Sequence, residues 1–149
     1  MIDEAAVRLA LADVADPEIP VVSVVDLGMI ERVDVGSDAI RVELLPTFVG
    51  CPAVDMIKAA VADRLSAFGR PVLVETTFRV PWTSARITPR GRARLRASGF
   101  APPTAEAAVR CPYCGSGDVA LDKLFGPTQC RSLRYCRACR QPFEQFKTV

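Results

Sequence analysis

The 149-residue chain contains no histidine. That absence removes the usual proton acceptor for an activated serine or cysteine, so hydrolysis of the cysteine-protease type is not expected. It also removes imidazole as a metal ligand and leaves thiolates and carboxylates for that task. No apolar run approaches membrane-spanning length, so no membrane partner is expected. The first residues, MIDEAAVR, lack the basic, apolar, small-residue order of a signal peptide. A cytoplasmic protein with reduced cysteines is the expectation. No glycine pattern suited to cradling a nucleotide can be placed either. With both tools of catalysis missing, an enzyme in its own right is the least expected class.

What is present is a folded composition with charge unevenly spread. Residues 1–85 carry 7 Lys/Arg and 13 Asp/Glu, a balance of −6, and residues 86–149 carry 12 and 4, a balance of +8; these sum to the net +2. An acidic front and a basic back can serve solubility, or dock on each other, a partner or an anionic cofactor.

In residues 4–14, Val7, Leu11 and Val14 share a helical face. Pro17 and Pro20 break that pattern, and Val21, Val22, Val24 and Val25 favour an extended stretch entering Asp26-Leu27-Gly28. Two strands, 29–35 and 40–45, flank a turn at Gly36-Ser37-Asp38. Val54, Ile57, Val61, Leu65 and Phe68 then recur at helical steps until Gly69. Strand alternation resumes from Val72 through Val80, and Thr88-Pro89 caps a last helix over 89–98. These elements predict an α/β (α+β) domain over residues 1–100 and a linker over 101–110. Residues 111–149 hold too little apolar mass to stand without a staple.

The staple is visible as Cys111-Pro112-Tyr113-Cys114 and Cys136-Arg137-Ala138-Cys139, two CxxC pairs 21 residues apart. Each tight turn offers two sulfurs, and the four together suit tetrahedral zinc, with iron the competing metal and disulfide pairing the remaining alternative. A four-thiolate site has no open position, so structure rather than catalysis is expected. The segments DVALDKLF and PFEQFK read as short extended pieces of a β zinc ribbon. Arg131, Arg134, Arg137 and Arg140 recur every three residues beside Tyr135, a pattern that can track phosphates. The acidic front half and the lack of a basic tail count against nucleic acid as a partner. Cys130 is read either as a small buried hydrophobe or as a spare thiol. Trp82, with Thr83 and Ser84, either lines a contact surface or covers the open end of the core.

Cys51, in Thr47-Phe48-Val49-Gly50-Cys51-Pro52, stands where a strand gives way to a helix. Amide donors at a helix start favour a thiolate. Three readings stand open: a buried cap-region residue, a redox or exchange thiol, or a transient ligand of a soft metal or iron–sulfur species. Asp26 is the natural acidic candidate to accompany it, and Glu18 a weaker one. One sulfur and one carboxylate make half a site, which a partner chain or a second copy in a homodimer would complete.

Asp16-Pro17-Glu18-Ile19-Pro20, Val25-Asp26-Leu27-Gly28-Met29-Ile30 and Thr47 to Pro52 together resemble the MIP18-type iron–sulfur assembly domains. With Trp82-Thr83-Ser84, the CPYCGS knuckle, Phe125 to Cys130 and Pro142 to Lys147, the whole chain resembles the accessory-protein family of phenylacetyl-CoA epoxidases. In that family such a domain precedes a zinc ribbon. The resemblance implies a maturation role in phenylacetate catabolism, aiding delivery of an iron–sulfur cluster or iron. The implied partners are components of the epoxidase complex, the [2Fe-2S] reductase first and the di-iron oxygenase second. It maps the functional cysteine onto Cys51, the acidic turn residue onto Asp26, and the ribbon ligands onto Cys111, Cys114, Cys136 and Cys139. The rival reading is a docking subunit in which Cys51 only packs.

Overall fold

The computed structural model describes residues 1–47 and 53–148, which fall into two compact units, Met1–Gly91 and Arg92–Val149. In the front unit, helix α1 (Glu4–Leu11) starts at Asp3, whose carboxylate accepts the Ala6 amide at 2.7 Å. Such a cap satisfies one of the orphan donors of a helix start. Its buried face is Val7, Ala10 and Leu11.

Strands β1 (Ile30–Val35) and β2 (Ile40–Leu44) form an antiparallel hairpin. Helix α2 (Ala53–Ser66) then crosses to β3 (Val72–Thr76), which lies parallel to β2. Every fourth residue of α2 from Ala53, namely Ile57, Val61 and Leu65, is buried. Burial of side chains this size stabilises by about 1.5–3 kcal/mol each. Gly69 follows with a φ of +71°, the left-handed residue that ends the helix.

Two expectations are corrected here. Alternation through Val80 predicts a longer last strand, but β3 stops at Thr76, and Phe78 is exposed. Its partner β2 runs out at Leu44, and Pro46 beyond it has no amide to extend a ladder. The valines 21–25 make turns instead of a strand, joined to Ala15 only by a single bridge at Ser23. Within the stretch Asp26 captures the Ser23 amide, and just before it Asp16 accepts from Glu18 and Ile19 in a local turn.

Helix α3 (Pro89–Ala97) is capped by Thr88, whose hydroxyl accepts the Gly91 amide at 3.0 Å. In the back unit, β4 (Phe100–Ala101), β5 (Val119–Lys123), β6 (Arg131–Cys136) and β7 (Pro142–Phe146) form a sheet ordered β4-β7-β6-β5 among the described residues. Residues 101–110, read from composition as a linker, include Ala101 of β4 and a 3-10 turn at Glu106–Ala108. The core of this unit is small: Ala101, Val109, Cys111, Cys136 and Phe143.

Candidate metal centre and acidic turn

The two CxxC turns are built on one plan. In the first, the Cys111 amide donates to Ser116 O, five residues on, and Gly115 adopts a φ of +76°. In the second, the Cys136 amide donates to Gln141 O, again five residues on, and Arg140 adopts a φ of +60°. Both knuckles thus need a left-handed residue four places after the first cysteine. Glycine fills one without strain, whereas arginine fills the other at a cost.

Together the knuckles gather the Sγ atoms of Cys111, Cys114, Cys136 and Cys139 within 4.8 Å of one another. The Cys111–Cys139 and Cys114–Cys136 pairs are each 3.6 Å apart. A tetrahedron with Zn–S bonds of about 2.3 Å has edges of about 3.8 Å, so the four sulfurs fit a single metal ion. The amide of Cys139 donates toward the Cys136 thiol and brings it down to about 7, while burial and the neighbouring sulfurs push Cys139 up to about 12. Four thiols this close shed their protons only when a cation balances the charge.

Arginines of β6 point into the unit. Arg134 is buried, with its guanidinium forked onto both oxygens of Glu106 at 2.9 and 2.7 Å and its Nε on Gln145. Arg131 pairs with Glu144 at 2.7 Å. Arg137, by contrast, is exposed beside Asp118. The three-residue recurrence therefore does not form one basic stripe; two of its members clamp the sheet. Cys130 is buried, its sulfur 2.9 Å from the Thr128 hydroxyl.

The front unit places Asp26 at 3% exposure. Its Oδ2 accepts the Ser23 amide, the Ser23 hydroxyl accepts the Asp26 amide, both at 3.0 Å, and Arg90 stands 3.7 Å from Oδ1. The carbonyls of Asp26, Leu27 and Gly28 are all taken by one later segment: by the Thr88 amide at 2.9 Å, the Trp82 indole at 2.7 Å and Arg86 Nε at 2.8 Å. Gly28 is obligatory here, since a Cβ would stand 2.3 Å from Arg86 O. Trp82, 5% exposed, covers the core and does not line a surface. The turn sits beside the end of β2, where the Leu45 amide donates to Met29 O at 2.7 Å. Cys51 lies outside the described residues. The grip of residues 82–88 on this turn escapes sequence reasoning; the lone tryptophan, Trp82, is its only signal.

Among the described residues no helix is long and apolar enough to cross a membrane. The chain matches the family described as iron–sulfur cluster assembly protein over residues 4–75, and the PaaD zinc beta ribbon domain over residues 96–147. It is 36% identical to a protein of Escherichia coli (strain K12) named as a component of a "Putative 1,2-phenylacetyl-CoA epoxidase", covering 93% of this chain and 89% of that one. It is 40% identical to the "Fe-S protein maturation auxiliary factor" of Porphyromonas gingivalis (strain ATCC BAA-308 / W83), over 54% of this chain and 77% of that protein. A crystal structure of a domain of unknown function from Bacillus anthracis is similar in fold, with a TM-score of 0.57 and 25% identity, covering 62% of this chain and 90% of that one. The mixed helix-and-sheet front and the four-cysteine tail are accounted for by these likenesses, and the chain belongs to the PaaD family, an iron–sulfur cluster assembly domain followed by a zinc beta ribbon.

Proposed function

We propose that the protein is a non-catalytic maturation factor for a multicomponent phenylacetyl-CoA epoxidase, acting in the cytoplasm to deliver an iron–sulfur cluster or iron to the reductase or oxygenase component. The observation that carries this reading is the pairing of an assembly-domain match over residues 4–75, which spans both Asp26 and Cys51, with a sealed four-thiol cluster elsewhere. Cys111, Cys114, Cys136 and Cys139 hold structural zinc in this reading. A closed tetrahedron leaves no position for cargo. Exchange then falls to Cys51, on the segment leading from β2 to α2.

Cargo passes by ligand exchange. The bond from iron to the Cys51 sulfur breaks, a bond from iron to a client cysteine sulfur forms, and the client's thiol proton moves to Cys51. No electron is needed. Asp26, with its carboxylate turned inward to Ser23, contributes by fixing the turn beside the end of β2. Asp26→Ala should therefore lower stability by about 1–3 kcal/mol, the cost of an unmade buried hydrogen bond, in urea denaturation. An unchanged denaturation midpoint with lost cluster transfer would instead give Asp26 a direct role with the cargo.

The test of the whole reading is anaerobic reconstitution with iron and sulfide, followed by transfer to the purified [2Fe-2S] reductase component. Wild type is expected to transfer and Cys51→Ala to fail, with ribbon zinc equal in both. Undiminished transfer by Cys51→Ala removes the carrier role and leaves docking on the epoxidase as the function.

A further inference from the structure

The back unit carries a cleft of about 400 Å³ that the metal centre does not use, lined by Arg92, Arg96 and Arg110 with Pro102, Pro103 and Pro112. Among the described residues that line it there is no carboxylate. Arg92 donates to Pro103 O at 2.7 Å, which anchors its guanidinium at the wall. Arg96 and Arg110 form no ion pair among the described residues. Arg92 and Arg96 are one turn apart on α3, so their charges share a helix face and repel. Elsewhere in this unit, Arg131, Arg134 and Arg137 each have an acidic partner. Arg96 and Arg110, two cations at one cleft with no acid among its described lining residues, suit a ligand of two negative charges.

Arg110 lies beside a glycine: a Cβ on Gly117 would stand 2.4 Å from Arg110 Nη1, so a larger residue there makes the guanidinium shift. The prolines narrow the choice of ligand. Pro102, Pro103 and Pro112 have no amide hydrogen, so a peptide laid in the cleft finds few main-chain donors on these walls. Guanidinium forks, which match phosphate oxygens two at a time, are what the cleft offers, with flat apolar proline rings beside them.

We propose that this cleft is a binding site for a diphosphate group carried by a small organic molecule, such as a nucleoside diphosphate. The phosphates bridge Arg96 and Arg110, and the organic part rests on the prolines. The site reaches Cys111, which also lines the cleft, so occupancy is felt next to the metal centre.

Isothermal titration of the full zinc-loaded chain with ADP, inorganic pyrophosphate, inorganic phosphate and adenosine tests this. ADP and pyrophosphate should bind below about 1 mM, and phosphate about tenfold more weakly, as one lost charge-assisted contact predicts. Adenosine should not bind measurably. Tighter binding of ADP than of pyrophosphate assigns the proline wall to the organic part. Arg96→Ala and Arg110→Ala should each weaken ADP by about tenfold. Gly117→Ala keeps every charge but makes Arg110 shift, and should weaken ADP less than Arg110→Ala does. Zinc content and thermal unfolding, measured for each variant and after each titration, show that the fold and the metal are retained. No ADP binding up to about 5 mM overturns the proposal, as does affinity indifferent to Arg96→Ala and Arg110→Ala. Preferential binding of a single-stranded oligonucleotide or a polyglutamate peptide over ADP overturns it as well.

Discussion

The two units of this chain solve the same problem with different means. Of the twelve largest fully buried side chains among the described residues, ten belong to residues 1–91, and only Leu95 and Phe146 belong to the rest. The front unit is therefore held by hydrocarbon: Leu11, Ile40, Leu44, Ile57 and Leu65 fill the space between helices and sheet. In the back unit two of the five core residues are themselves cysteines of the metal cluster. Apolar burial there is too slight to offset the entropy of ordering the chain. Coordination and buried arginine clamps supply the difference. A thiol cluster that is the keystone of its unit cannot give up a metal without unfolding that unit.

Metal removal is the strongest way to break this comparison. A chelator, or Cys136→Ser, should unfold the back unit and leave the front unit intact. The cost is about 10 kcal/mol or more, the scale of zinc-coupled folding. Loss of the amide signals of residues 92–148 with retention of those of 4–47 would show it by NMR. A folded metal-free ribbon would sink the contrast. The converse is Leu65→Ala, which opens a cavity under α2 and should cost the front unit about 2–5 kcal/mol in urea denaturation. Metal content and back-unit signals should not change.

The smallest effect sharpens the role of the clamp. The Arg134 guanidinium on Glu106 holds that carboxyl below its ordinary value of 4.5, with burial opposing the shift only in part. A depressed carboxyl stabilises the fold above its unfolded pKa and loses that contribution as pH falls through the folded one. Because the Glu106 side chain is 75% exposed, Glu106→Gln should cost only about 0.5–1 kcal/mol at neutral pH. The gap in thermal midpoint between wild type and variant should be constant from about pH 7 to about 5 and close below about pH 4. Comparing the two proteins at each pH cancels the acid lability of the thiolates. A gap that widens in acid would refute the clamp.

The sequence made some of these features legible and hid others for physical reasons. Helix α2 could be read because its apolar residues recur at the helical period. The start of α3 could be read because Thr88-Pro89 is both cap and first turn. The ribbon cysteines could be read because coordination geometry restricts their spacing. Strand β6 could not, since two of its buried residues are arginines, whose burial depends on Glu106 and Glu144 brought from elsewhere along the chain. The turns of residues 21–28 were hidden by their valines, which favour strands, whereas the Asp26 carboxylate takes the Ser23 amide. Asp26 was identifiable as an acidic turn residue, but the inward direction of its carboxylate is decided by Ser23. The arginine cleft is a tertiary object: Arg92 and Arg110 are 18 positions apart, and nothing local joins them.

Trp82, sealed against Leu27 in residues 1–91, is the sole tryptophan, and both tyrosines, Tyr113 and Tyr135, lie in residues 92–149. Indole emission consequently watches one half of the molecule and phenol absorbance the other. Nature has installed two separate optical channels, so the order in which the halves come apart can be followed in an unlabelled sample.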